Sequence, residues 1–155
     1  MNQVWMQEAL QMAVENIRSG QGGPFAALVV RDGVVLGRGV NRVTTAHDPT
    51  AHAEIVAIRA ACLLLGDFQL TGCDLYTTCE PCPMCMGAIY WARPARVFYA
   101  ATRQAAAQAG FDDAHIYHEL TLPLAERRIP MLPLLPEAGG IPFEAWATAQ
   151  QRVPY

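Results

Sequence analysis

The fold of this chain is decided by two short stretches, DPTAHAE at residues 48–54 and CEPCPMC at residues 79–85. Each stretch precedes an apolar segment, which is typical of the start of a helix. The first supplies an imidazole and a carboxylate, and the second supplies two thiols in a Cys-x-x-Cys pair. His52, Cys82 and Cys85 are of the residue types that bind zinc. The two stretches therefore predict a metal centre at two helix starts.

Glu54 stands two residues after the predicted ligand His52. A catalytic zinc site takes three protein ligands and keeps a fourth position for water. Cys82 and Cys85 face the same side of a helix start, where the thiolate form is favoured. Two thiolates neutralise the charge of Zn²⁺, so the metal should lower the pKa of its water less completely. Glu54 is therefore predicted to be the base that takes the proton of this water.

The cysteines also allow other interpretations. A closed structural zinc would need a fourth ligand such as Cys79, and a redox pair would need only Cys82 and Cys85. Both leave Glu54 without a role. Cys62 and Cys73 are predicted to be small core residues.

Composition excludes several classes of protein. The 155 residues are enough for one domain, and 52% of them are apolar. All 11 basic residues are arginines, which excludes a Schiff-base or P-loop lysine. The net charge of −3 disfavours a nucleic-acid surface. With no membrane span, no export signal and an odd count of five cysteines, we expect reduced thiols and a cytoplasmic protein.

The pattern of apolar residues predicts alternating strands and helices. An amphipathic helix is expected over residues 3–19, with Val4, Leu10, Val14 and Ile17 marking its period. Further elements are predicted in this order: strands 25–30 and 34–41 joined by a turn at 31–33, a polar loop at 44–50, helix 50–65 with Asp48 as N-cap and Gly66 as its end, strand 74–78, helix 82–92 and strand 96–101. This alternation indicates an α/β layer fold.

The remaining third of the chain is less regular. We expect a helix at residues 103–109, a turn at 110–113 and a short helix at 115–120. Residues 129–135 are predicted as an edge strand, although four prolines interrupt residues 123–136. A final helix is expected at 142–151. With no repeat or second core, the chain is predicted to be a single domain, 1–155.

The two stretches resemble the cytidine deaminase superfamily, whose zinc signature is H-x-E followed by P-C-x-x-C. Further similarity, at residues 44–45, 48–54, 79–94, 109–113 and the chain end, is to the bacterial guanine deaminases. This resemblance covers nearly the whole chain. It implies a three-layer α/β/α sandwich with a central mixed sheet, and one zinc per chain held by His52, Cys82 and Cys85. It also implies hydrolysis of guanine to xanthine and ammonia, with Glu54 shuttling protons.

The resemblance also assigns the substrate-binding residues. Asp113 matches the second functional carboxylate of the family, and it suits guanine because a carboxylate can accept from both N1–H and the amino group. Adenine and cytosine each have an unprotonated ring nitrogen in place of N1–H. This nitrogen is an acceptor and would face an acceptor oxygen of Asp113. Asn41 would bind the purine edge, although it could also be a turn-forming residue. The backbone N–H of Ala53 would face the base.

Two further features of the pocket follow from the resemblance. Phe25, Trp91 and Phe111 could stack on a flat ring, although each could equally belong to the core. The family forms homodimers that exchange a C-terminal segment, here about residues 130–155. Tyr155 would then be a lid over the partner's site, whereas the alternative is a frayed tail.

Alternatives to guanine deamination remain open at this stage. A deaminase of adenosine in tRNA shares the zinc signature, but residues 101–155 carry four Arg against six Asp and Glu, a net charge of −2. An RNA-binding end should be basic. A deaminase of cytosine or another nucleobase would differ in pocket shape, which the sequence does not specify. From a different class, a structural zinc-binding module would need a fourth protein ligand.

Overall fold

A mixed four-stranded sheet organises the computed structural model, which describes residues 2–155. Its strands are β1 (Ala26–Arg31), β2 (Val34–Val40), β3 (Asp74–Cys79) and β4 (Arg96–Ala101). They lie in the order β2-β1-β3-β4. β1 is antiparallel to both of its neighbours, whereas β3 and β4 are parallel. The predicted hairpin and the mixed sheet are thereby confirmed.

A helix forms at or close to each predicted position, and a short extra turn follows β2. Within residues 2–155 the α-helices are α1 (Gln3–Arg18), α2 (Val43–Ala46), α3 (Ala53–Leu65), α4 (Pro83–Ala92), α5 (Arg103–Gln108), α6 (Ala114–Thr121) and α7 (Ile141–Thr148). Each of them is too short or too polar to cross a lipid bilayer. The chain divides into two compact units, a first that ends at Asp113 and a second that comprises Ala114–Tyr155.

The first unit has three layers, because both faces of the sheet are covered. Successive residues of a strand point to opposite faces. Ala27 and Val29 of β1 pack against α3 and α4, whereas Leu28 and Val30 pack against α1. The predicted α/β/α sandwich is confirmed, and burial of these two apolar faces is the main contribution to its stability.

The buried face of α1 differs from the one that its large apolar residues indicated. The four marker residues are exposed on 43–57% of their surface: Val4, Leu10, Val14 and Ile17. Ala9, Ala13 and Asn16 are buried instead. Small residues let the helix approach the sheet closely, so the larger side chains on the neighbouring faces remain in solvent.

The start of α3 was placed too early by the sequence pattern. His52, not Asp48, occupies the N-cap position, with an extended backbone (ψ 154°). The Asp48 carboxylate accepts hydrogen bonds from the N–H and the hydroxyl of Thr50, at 2.8 and 2.7 Å. Asp48 therefore holds a turn that precedes the helix. Gly66, with φ 63°, ends α3 as predicted.

The predicted polar loop at residues 44–50 was wrong in its first part. Residues 43–46 form α2, which ends at His47 in the left-handed region with φ 50°. The stretch is one turn long, and no apolar period marks it in the sequence.

The second unit, residues 114–155, contains α6, α7 and two short 3₁₀ helices. The edge strand predicted at residues 129–135 is wrong, since this segment has no strand structure. Pro130 and Pro133 lack the N–H groups that a strand needs for pairing. Many apolar side chains of the unit are exposed, including Leu132 and Leu134 at 80% and 89%. The single domain 1–155 and the exchange of residues 130–155 stay predictions.

Candidate active site

Three potential metal ligands lie at the starts of two neighbouring helices. His52 is the N-cap residue of α3, and Cys82 is the N-cap residue of α4. Cys85 follows in the first turn of α4, whose first position is Pro83. β3 leads directly into this segment, so the sheet fixes where the thiols lie. The open N–H groups of both helix starts favour negative charge at this position.

The ligand atoms of His52, Cys82 and Cys85 lie within 4.8 Å of one another. The Nδ1 atom of His52 is 3.5 Å from the sulfur of Cys82 and 3.6 Å from that of Cys85. Imidazole nitrogen and two sulfurs form a donor set that selects zinc over harder cations. The three predicted ligands are therefore brought together, and their chemistry fits zinc.

The two thiols are electrostatically different. A hydrogen bond from Cys85, assisted by one with His52, lowers the pKa of Cys82 to about 4. The same hydrogen bond between the sulfurs raises the pKa of Cys85. The low pKa of Cys82 favours its thiolate form. Binding of a divalent metal would release the proton of Cys85, because thiolates are the metal ligands.

Cys79 does not join this cluster. Its thiol donates to the carbonyl oxygen of Thr102 at 3.8 Å, and burial raises its pKa to about 11. Within residues 2–155, His52, Cys82 and Cys85 are the only group of three or more side chains placed to hold a metal together. The geometry therefore favours a site with an open fourth position over a closed structural zinc. Cys73 is fully buried in the core and Cys62 packs against it, as predicted.

Glu54 lies in the first turn of α3, and only 6% of its surface is exposed. Burial raises the pKa of its carboxyl, and the negative charge of Cys82 adds to this effect. A carboxyl group with a raised pKa, held next to a metal site, can take up a proton and give it back. Its position fits the predicted role of proton carrier.

Asp113 ends the first unit and lies near the same cluster. Burial raises the pKa of its carboxyl, and the charge of Cys82 contributes in the same direction. Phe111, two residues before Asp113, contacts Phe25 edge-to-face with ring centroids 4.9 Å apart. This aromatic contact ties the segment that carries Asp113 to the loop before β1. Two of the predicted aromatic residues are therefore neighbours.

Glu80 connects the metal-ligand loop to the end of β4 and the start of α5. Its carboxylate accepts a hydrogen bond from the N–H of Arg103 at 3.1 Å, at the start of α5. Its own N–H donates to the carbonyl oxygen of Ala101 at 2.8 Å. Position in the sequence alone did not indicate these contacts.

Asn41 follows β2 and is nearly buried, with 9% of its surface exposed. The N–H of the next residue, Arg42, donates to the carbonyl oxygen of Ala51 at 2.9 Å. This bond joins Asn41 to the loop that leads to His52. Asn16 of α1 contacts the Asn41 backbone, and it was not among the residues predicted from the sequence. The signal in the sequence was a polar residue on the helix face that is otherwise formed by small apolar residues, Ala9 and Ala13.

The remaining predicted binding residues lie in different places. Ala53 is fully buried as the first residue of α3, so its N–H is at the open end of the helix. Trp91 is nine positions beyond Cys82 along α4, a rise of about 13 Å. It is 61% exposed. Tyr155, in the second unit, is 72% exposed. Binding roles for these residues stay predictions.

Comparison with known protein families identifies the family of this chain. A family model of the cytidine and deoxycytidylate deaminase zinc-binding region matches residues 1–101. The chain belongs to this deaminase family. Its cofactor is zinc, in agreement with the donor set of the cluster.

Individual members of the deaminase family match to different extents. Guanine deaminase of Bacillus subtilis is 50% identical over 154 residues, which are 99% of each chain. The X-ray structure of guanine deaminase from Bacillus subtilis covers 100% of this chain and 99% of its own, with a TM-score of 0.97 and 51% identity. The tRNA-specific adenosine deaminase of Agrobacterium fabrum is 51% identical over 78 residues, which are 50% of this chain and 51% of the other.

Proposed function

We propose that this chain is a zinc-dependent guanine deaminase, which hydrolyses guanine to xanthine and ammonia. The observation that carries the proposal is the extent of similarity. The match to a guanine deaminase runs along 99% of the chain, whereas the matches to tRNA-specific adenosine deaminases cover 50–64% of it. The acidic balance of residues 101–155 also argues against an RNA surface.

His52 would hold the metal through Nδ1, and Cys82 and Cys85 through their sulfurs. Bound zinc supplies the Lewis acidity that makes water nucleophilic near neutral pH. The two thiolates would neutralise the ion, so a protein base is needed to complete the activation of water. The helix starts that carry the ligands stabilise their negative charge.

Glu54 is the proton carrier in this proposal. Its carboxylate takes a proton from the attacking water and delivers it to the ring nitrogen beside the attacked carbon. A second proton passes to the amino group, which then leaves as ammonia. Burial of Glu54 keeps bulk water from competing for these protons.

Asp113 is the residue that selects the base. Guanine presents N1–H beside its amino group, and a carboxylate accepts from both. Adenine and cytosine would turn an unprotonated ring nitrogen toward Asp113, which leaves one of the two carboxylate oxygens without a donor. Asn41 and the N–H of Ala53 bind other polar groups of the purine, and Phe25, Phe111 and Trp91 are proposed to pack on its ring.

The active form is proposed to be a homodimer that exchanges about residues 130–155, so that Tyr155 covers the partner's site. Exposed apolar residues of this segment, such as Leu134 and Phe143, support an assembly that buries them. Light scattering should give the mass of two chains. A mass of one chain at working concentrations would contradict the dimer. The location of the enzyme is proposed to be cytoplasmic.

Ammonia release from a panel of substrates tests the proposed function. Guanine, adenine, cytosine, cytidine and a tRNA anticodon stem should be offered to the zinc-loaded chain under identical conditions. We expect rapid release from guanine alone. Release from the tRNA stem with none from guanine would establish the alternative, and release from no substrate would leave a non-catalytic zinc module.

A further inference from the structure

Asn16 is a buried amide on α1 with only 4% of its surface exposed. Its Nδ2 atom donates two hydrogen bonds, to the carbonyl oxygens of Gly23 and Asn41, both at 2.9 Å. An asparagine amide has two N–H donors, so both of them are used. Asn16 thereby joins α1 to two separate backbone segments, the loop before β1 and the end of β2.

The same two segments hold the side chain of Asn41. Its Oδ1 atom accepts hydrogen bonds from the N–H of Gly23 at 3.4 Å and of Val43 at 3.3 Å. Backbone N–H groups can only donate, so the amide oxygen must face them. Among residues 2–155 no acceptor is hydrogen-bonded to Asn41 Nδ2, and no buried side-chain nitrogen lacks a partner. The N–H₂ group of Asn41 is therefore accessible and available as a donor.

The Gly22–Gly23 loop packs closely enough on Asn41 to need glycine. A Cβ atom on Gly22 would overlap the carbonyl oxygen of Asn41. The backbone of Asn41 is fixed from the other side, where its N–H donates to the carbonyl oxygen of Phe25 at 3.0 Å. The long bonds to Oδ1 depend on this packing, and Asn16 is the side chain that holds both partners in place.

We propose that Asn16 is a positioning residue for substrate recognition, because it fixes the direction in which the Asn41 amide faces the purine. It does not contact the base itself. Asn41 then donates to an acceptor of the purine, either the carbonyl oxygen or an unprotonated ring nitrogen. This inference rests on the proposed function, since it assigns a purine to the site. It adds a residue of α1 to the determinants of specificity.

Loss of the Asn16 amide should weaken binding of the base without changing the chemical step. For Asn16→Ala we expect the KM for guanine to rise about tenfold, with kcat and zinc content close to those of the wild type. Asn16→Ser keeps one donor and should give a smaller rise. It also serves as the second variant if Asn16→Ala folds poorly.

A double-mutant cycle with Asn41 distinguishes positioning from general stability. If Asn16 acts through Asn41, then Asn16→Ala should add no further rise in KM in an Asn41→Ala background. Ala9→Gly is the matched control, since Ala9 is buried on α1 but packs against Leu28 and Tyr76. It should lower thermal stability and leave KM unchanged.

Calorimetric binding of hypoxanthine gives a readout that needs no turnover, because this base lacks the amino group. Its Kd should follow the same pattern as KM in all variants. Unchanged KM and Kd in both Asn16 variants, or an undiminished effect in the Asn41→Ala background, would overturn the positioning role. A wild-type chain that binds hypoxanthine but releases no ammonia from guanine would instead overturn the proposed reaction, and Kd alone would then decide on Asn16. Absence of both binding and turnover would overturn both.

Discussion

Glu54 shows that the role of some single residues could be predicted from the sequence of this protein. The metal ligands and this carboxylate follow from residue type and spacing, since few side chains bind zinc and fewer stand next to a ligand. For Asn16 the sequence offered only a polar residue among small apolar ones, which does not indicate its partners. Its partners are backbone carbonyl groups, one of them 25 residues away in the chain. Such contacts depend on tertiary structure, which no local pattern encodes.

Substitution of Glu54 should separate metal binding from proton transfer. Glu54→Gln keeps the size and polarity of the side chain but removes the basic oxygen. We expect kcat for guanine to fall by about 10²–10⁴, the usual contribution of general acid–base catalysis, with one zinc per chain retained. Metal analysis and steady-state kinetics of the same sample measure both quantities.

Glu8→Gln is the control for this substitution. Glu8 forms a surface ion pair with Arg38 at 2.8 Å, on α1, and should be neutral for turnover. Wild-type kcat in Glu54→Gln would remove Glu54 from the mechanism.

Substitution of Asp113 should change the choice of base. In Asp113→Asn one acceptor oxygen becomes an N–H₂ donor that faces the donors of guanine, so kcat/KM for guanine should fall by at least about a hundredfold. Zinc content should remain that of the wild type. Kinetics with guanine and metal analysis test this expectation, with the exposed neighbour substituted as Asp112→Asn for comparison. Equal losses in both variants would contradict a specific role for Asp113.

At the scale of elements, the close contact between α3 and β2 sets the position of His52 and Glu54. Gly37 and Gly39 of β2 face the backbone of α3 around Ala57 and Ala53, where a Cβ atom would overlap it. Periodicity predicted both elements but not this approach. The start of α3 was also predicted wrongly. Asp48 resembles an N-cap residue, but its carboxylate accepts hydrogen bonds from Thr50 in the preceding turn. The false strand at residues 129–135 shows that apolar composition does not suffice when prolines remove the donors.

Gly39→Ala should therefore displace the start of α3. We expect the free energy of unfolding to fall by about 1–3 kcal/mol through overpacking, together with weaker zinc binding. Gly87→Ala is the matched control, because nothing lies within 4 Å of a Cβ on this exposed helical residue. It should stabilise the protein by up to about 1 kcal/mol and keep zinc affinity. Denaturant melts and zinc titrations of both variants measure the difference, and equal effects would refute the role of this contact.

At the scale of the whole molecule, the three-layer unit holds the metal centre and the candidate substrate residues up to Asp113. Its architecture was predictable because strands and helices alternate with clear periods. The arrangement of residues 114–155 was not, since short helices, 3₁₀ turns and prolines carry little periodic signal. Many apolar side chains of that unit are exposed. Light scattering tests whether a second chain covers them.

The most direct test of the central claim is xanthine formation from guanine while zinc is returned to the metal-free protein. We predict no turnover before addition, then a linear rise that ends at one zinc per chain. His52→Ala should show no such rise at the same zinc concentrations. Full turnover by metal-free protein, or a zinc-loaded chain that forms no xanthine from guanine, would contradict the account.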